Sequence, residues 1–128
     1  MIHEEICTYE VAKLAKEKGF NVQTFDWYDY TGNYHKGFIP HELHECPRYK
    51  EYYAPSQSLL QRWMREEKNI HIEIIATASG YYWCVNKTNG TSITDSDVLN
   101  RGTNEGGCFD TYELALDDAL KYTLENLV

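Results

Sequence analysis

The chain has 128 residues, 12 Lys and Arg against 20 Asp and Glu, a formal charge of −8, and an aromatic share of 14% that includes 11 Tyr. That length fits a single domain over 1–128, one that buries roughly two thirds of its unfolded surface without metal or disulfide staples. The aromatic content excludes a disordered chain, and no apolar run approaches the ~20 residues of a membrane span.

The start, Met1-Ile2-His3-Glu4-Glu5, has no basic region and no apolar region of a signal peptide. The expectation is therefore a cytoplasmic protein with no membrane contact, whose cysteines Cys7, Cys46, Cys84 and Cys108 are reduced thiols. They form no C-x-x-C pair. The charge is uneven: residues 47–70 carry five basic and three acidic side chains, and residues 92–128 carry two and eight. An acidic chain repels phosphate, so a nucleic-acid partner is disfavoured, and only 47–70 offers a basic stretch.

Thr8 followed by Tyr9–Lys18 predicts the first helix, with Glu10 in the first turn and Val11, Leu14 and Ala15 on one face. Gly19 supplies a left-handed end and Phe20 packs back. Residues 23–30 alternate as a strand, Thr31-Gly32-Asn33 turns, and Tyr34–Ile39 returns. Residues 40–54 read as irregular or as a short helix. Pro55 suits a first helical turn, and Leu59, Leu60, Trp63 and Met64 form one apolar stripe that Asn69 ends.

Ile70, Ile72, Ile74 and Ala76 then alternate with His71, Glu73, Ile75 and Thr77, which predicts a strand. Ser79-Gly80 turns into a return strand, Tyr81–Lys87, with Tyr81, Trp83 and Val85 on one face. Asn89-Gly90 predicts a type I′ hairpin into a third strand, Thr91–Thr94. Residues 95–108 read as a loop. The last helix is expected to start at an Asp110 cap, with Glu113 closing a capping box and Phe109 and Leu114 a hydrophobic staple. Tyr112, Leu116, Ala119, Leu120 and Leu127 are assigned to its apolar face. The predicted class is α+β, an antiparallel sheet of four to five strands against three helices in the order α-ββ-α-βββ-α.

Three constellations could carry chemistry. His41, His44 and Cys46 form the densest group of metal-type ligands, of the kind that holds zinc. The histidines are three apart, where the metalloprotease pattern needs four, so a polar loop explains them as well. His71-x-Glu73 echoes half of a zinc deaminase motif whose other half is missing, and strand alternation accounts for it. Arg48, Tyr49, Tyr52 and Tyr53, continued by Arg62 and Arg65, form an aromatic–basic stretch. Such residues bind protein partners, stack on bases or cover a core. Of the cysteines, Cys46 and Cys108 fall in loops and read as the more reactive.

The run Tyr52-Tyr53-Ala54-Pro55-Ser56-Gln57-Ser58-Leu59-Leu60-Gln61-Arg62-Trp63-Met64-Arg65-Glu66 resembles one in a family of small proteins from Bacteroides-type genomes and their phages. Residues 10–20, 69–72 and 109–116 are similar too. The resemblance implies a mobile-element origin, a cytoplasmic setting and no assigned activity, and it carries over no catalytic residue. The combined expectation is a non-enzymatic accessory protein acting through protein contacts, as a hetero- or homo-oligomer, with no cofactor. The alternatives are a metal or thiol enzyme built on 41–46 and a nucleic-acid contact through 48–68.

Overall fold

A computed structural model describes residues 4–37 and 51–128. The architecture is α+β: three α-helices and two three-stranded antiparallel sheets. The elements run α1 (Tyr9–Glu17), β1 (Trp27–Tyr28), β2 (Tyr34–His35), β3 (Tyr52–Tyr53), α2 (Gln57–Lys68), β4 (Ile70–Thr77), β5 (Gly80–Lys87), β6 (Ser92–Asp95) and α3 (Tyr112–Asn126). No helix among the described residues is long and apolar enough to cross a membrane.

Helix α1 follows its local chemistry. Thr8 Oγ1 accepts from the Val11 N–H, and Val11, Ala12 and Ala15 turn inward. At the far end Gly19 is left-handed, so the Phe20 N–H reaches the Ala15 carbonyl at 2.9 Å and its ring enters the core. Helix α2 is capped by Ser56, whose hydroxyl accepts from Leu59 N–H at 3.1 Å. Pro55 therefore sits just before the cap and not in the first turn. Left-handed Asn69 ends the helix and swings the chain straight into β4.

The large sheet has the order β4-β5-β6. Its inner face carries Ile72 opposite Val85 and Ile74 opposite Trp83. Helices α2 and α3 cover that face. Ile72, Trp83 and Val85 are fully buried, together with Leu60, Met64, Leu120 and Leu124 of the helices. One polar network crosses this layer. The Trp83 indole donates to Asp118 at 3.0 Å, and Arg101 holds the same carboxylate with two bonds of 2.7 Å. The Arg101 guanidinium lies over the Tyr122 ring, which packs on Trp83. A paired, hydrogen-bonded carboxylate is thus the polar partner that a buried Trp requires.

The small sheet has the order β2-β1-β3. The predicted strand over 23–30 contracts to Trp27–Tyr28, because side chains claim the flanking backbone. Thr24 Oγ1 donates to the Asp26 carbonyl at 2.8 Å. Asp29 Oδ1 accepts from Thr31 N–H and Asn33 N–H, so the chain turns there. Tyr52 and Tyr53, expected in an irregular or helical segment, form β3 instead and pair with Trp27 and Tyr28. The predicted single sheet of four to five strands is therefore six short and long strands in two sheets.

Two further expectations shift. The β5–β6 turn is not type I′, since Asn89 has a negative φ and only Gly90 is left-handed. Gly90 N–H bonds the Lys87 carbonyl and Lys87 N–H bonds the Thr91 carbonyl, which is a three-residue loop with glycine last. The α3 cap is Thr111, whose hydroxyl accepts from Leu114 N–H at 3.1 Å. Asp110 instead accepts from the Asn104 amide at 2.9 Å, so the capping box does not form. Leu114 is 54% exposed and no staple forms; of the expected apolar face Leu116, Ala119 and Leu120 are buried and Leu127 packs at the core's edge, Tyr112 is exposed instead, and Ala115, Thr123 and Leu124 complete the buried side.

Candidate functional site

Alternation in the large sheet leaves a second face, opposite the helices. It presents His71, Glu73, Ile75 and Thr77 from β4 and Tyr82, Cys84 and Asn86 from β5. Among the described residues no α-helix packs on it. Glu73 pairs across with Cys84, and Cys84 with Asp95 of β6, which sets three titratable groups in one row. Beside them Ile75 stands opposite Tyr82. Among the described residues the strands present no Lys or Arg on this face.

The row is electrostatically negative, and its own groups register that. Burial pushes the Cys84 thiol up, and the Glu73 and Asp95 carboxylates push it further. Cys84 Sγ lies 3.8 Å from Glu73 Oε2. Burial also raises the Tyr82 phenol, with Cys84, Asp95 and Glu73 adding to it. Both shifts run opposite to what a reactive thiolate or phenolate needs. Cys7, buried beneath α1, is pushed up to about 12 by burial and then by Asp117.

At the hairpin end the face opens into a cleft of about 480 Å³ bordered by Thr77, Tyr82, Asp95, Asp97, Glu105 and Cys108. Its far wall is the 96–108 loop, which the sequence alone leaves unshaped. Ser96 builds it: the buried hydroxyl accepts from Trp83 N–H at 3.0 Å and donates to the Gly107 carbonyl at 2.8 Å. Gly107 is left-handed, and a Cβ there would stand 2.4 Å from the Asp97 nitrogen. Cys108, read from its loop position as one of the more reactive thiols, is buried at 2% exposure, with Sγ 3.3 Å from Thr77 Oγ1.

The residues singled out from sequence are dispersed. Tyr52 is only 4% exposed, its ring edge-on to Tyr9 and under the Lys16 ammonium, so it serves the core. Tyr53 is half-buried. Arg62 is exposed and pairs with Glu66 one helical turn on, at 3.0 Å. Arg65 is half-buried on the same helix. His41, His44, Cys46, Arg48 and Tyr49 lie outside the described residues. Among the described residues no three His, Cys, Asp or Glu side chains group to hold a metal.

A histidine–carboxylate pair lies elsewhere among the described residues. His35 Nε2 lies 2.8 Å from Asp29 Oδ2, and Trp27 stacks on the imidazole at 4.3 Å. Hydrogen bonds from Thr31, then His35 and the backbone of Asn33 and Thr31, hold the Asp29 carboxyl well below the usual carboxylate range. Thr31 Oγ1 points at Asp29 rather than at His35. The hydroxyl, carboxylate and imidazole thus lack the order of a nucleophilic triad, and the group locks a turn.

Comparisons with protein-family models, with curated proteins and with solved structures return no match.

Proposed function

We propose that this protein is a non-catalytic binding module, and that the outer face of the β4-β5-β6 sheet is its working surface. The observation that carries this is the one-sided cover of the sheet among the described residues: the α-helices that pack on it, α2 and α3, lie on the inner face. The opposite face combines an apolar pair, Ile75 and Tyr82, with carboxylates at Glu73 and Asp95 and a cleft edged by Asp97 and Glu105. Aromatic and aliphatic groups give area, and unpaired sign gives orientation. Charge complementarity selects a partner segment that is basic and apolar, carried on another protein.

The experiment is site-specific photo-crosslinking in the native host, with a photoreactive side chain at position 82 and a control at exposed Lys13 on α1. The expected result is one discrete protein adduct from position 82 and none from position 13. Loss of selectivity, or no adduct from position 82, would overturn the reading. An adduct of twice the chain mass would replace the heterologous partner by a second copy.

A further inference from the structure

The end of the sheet remote from the acidic cleft holds a second cleft of about 620 Å³, lined by Lys68, Ile70, Lys87, Thr88, Ile93 and Leu127 among others. Strands of eight residues at ~3.3 Å each set the two clefts roughly 20 Å apart. Three ends converge here: that of α2 at Lys68, the β5–β6 turn after Lys87, and that of α3 at Leu127. The turn is fixed to the α2 end by a 3.0 Å bond from Thr88 N–H to the Asn69 carbonyl.

The lining is one-signed. Among the described residues its two charged side chains are Lys68 and Lys87, and no Asp or Glu side chain lines the cleft. Among the described residues neither lysine has an ion-pair partner; Lys68 Nζ instead lies 5.3 Å from the centroid of the Trp63 ring. The floor is apolar, from Ile70, Ile93 and Leu127, and Ile93 is 36% exposed. Its exposure has a cause: a bulge between Val85 and Asn86 takes β6 out of simple alternation.

We infer that this cleft binds a small amphipathic anion, with one anionic head between Lys68 and Lys87 and an apolar tail along Ile70, Ile93 and Leu127. The size lies within the range of small-molecule sites, which join an apolar floor to a few placed polar groups. Two fields oppose an anion at this cleft. The ends of α2 and α3 each bring about half a negative charge. Two full lysine charges outweigh them. The chain's overall −8 acts mostly from beyond the ~8 Å screening length at physiological salt. A bare divalent cation is excluded by the same two lysines.

The probes are octanoate, octyl phosphate, octanol and acetate, followed by amide chemical shifts of the full chain. Octanoate is expected to give saturable shifts at Ile70, Lys87–Asn89, Ile93 and Leu127. Acetate, with no tail, and octanol, with no charge, are expected to bind at least tenfold more weakly. Octyl phosphate binding more tightly than octanoate would make the head a phosphate; the reverse would make it a carboxylate. The Lys68→Gln/Lys87→Gln variant should keep its spectrum and lose at least tenfold in affinity. Non-saturating shifts, shifts centred on Tyr82, octanol binding as well as octanoate, or a Lys variant of unchanged affinity would overturn the inference. Because Glu73 and Tyr82 take no part, this result is independent of the partner reading above.

Discussion

The two faces of the large sheet come from the same eight-residue strands, yet they are built for different ends. Tyr82 and Trp83 are neighbours in the chain. Trp83 is fully buried, bonded to Asp118 and roofed by α3; Tyr82 faces a half-open row of carboxylates. The inner face concentrates stability, and the outer face spends almost none of it. Groups that fold a protein and groups that meet a partner are thereby separable by one residue of register.

The sharpest way to break this contrast is Trp83→Ala. It removes the largest fully buried side chain among the described residues and one of the three hydrogen bonds that hold the Asp118 carboxylate. A loss of about 3–5 kcal/mol is expected, read from the urea midpoint. A loss below about 1 kcal/mol would mean that the inner layer is not the core. Gly107→Ala comes next. Its positive φ costs about 1–2 kcal/mol in an L-residue, and the contact with Asp97 adds to that. At least about 2 kcal/mol should be lost, with amide shifts confined to 96–108 and the strand end of β6.

Tyr82→Ala should cost under about 1 kcal/mol, in the range of surface substitutions, although its neighbour costs several times more. Equal losses at 82 and 83 would erase the distinction between the faces.

The smallest effect belongs to the layer behind α3. Asp117 accepts from the Thr8 hydroxyl at 3.0 Å and joins α1 to α3. Burial raises its carboxyl above the ordinary value, against the lowering effect of the Thr8 bonds. A raised carboxyl gives stability that is present below its unfolded value, about 3.9, and lost as pH rises through the folded one. Asp117→Asn should therefore gain on the parent between pH 4 and pH 7, by under about 1 kcal/mol. A gain that is the same at both pH values would remove the cause assigned to Asp117.

Much of the inner layer was legible in the sequence. Alternation from Ile70 to Val85 placed β4 and β5 and their buried face, and Thr8, Gly19 and Asn69 marked helix ends by their own chemistry. The small sheet was not legible, because two-residue strands carry no period and Asp29 and Thr24 hold the backbone through side chains. At α3, Asp110 and Thr111 are both competent caps. Asn104, six residues upstream, takes Asp110 and leaves the cap to Thr111.

The candidate face was half legible. His71-x-Glu73 read as the open side of a strand, but the row through Cys84 to Asp95 needs a pairing that local pattern does not specify. The lysine cleft joins residues 68, 87 and 127, three chain segments with no shared motif. The aromatic–basic stretch drew attention for its composition, and Tyr52 within it proved to be core.

The most direct test of the outer face separates binding from folding. In Glu73→Lys, at an exposed position, the thermal midpoint should stay within about 2 °C of the parent, since a surface change of about 0.5 kcal/mol moves a domain of this size by no more. The crosslinked adduct from position 82 should disappear. An adduct that persists at full yield, or one lost only together with several degrees of stability, would contradict the assignment of this face.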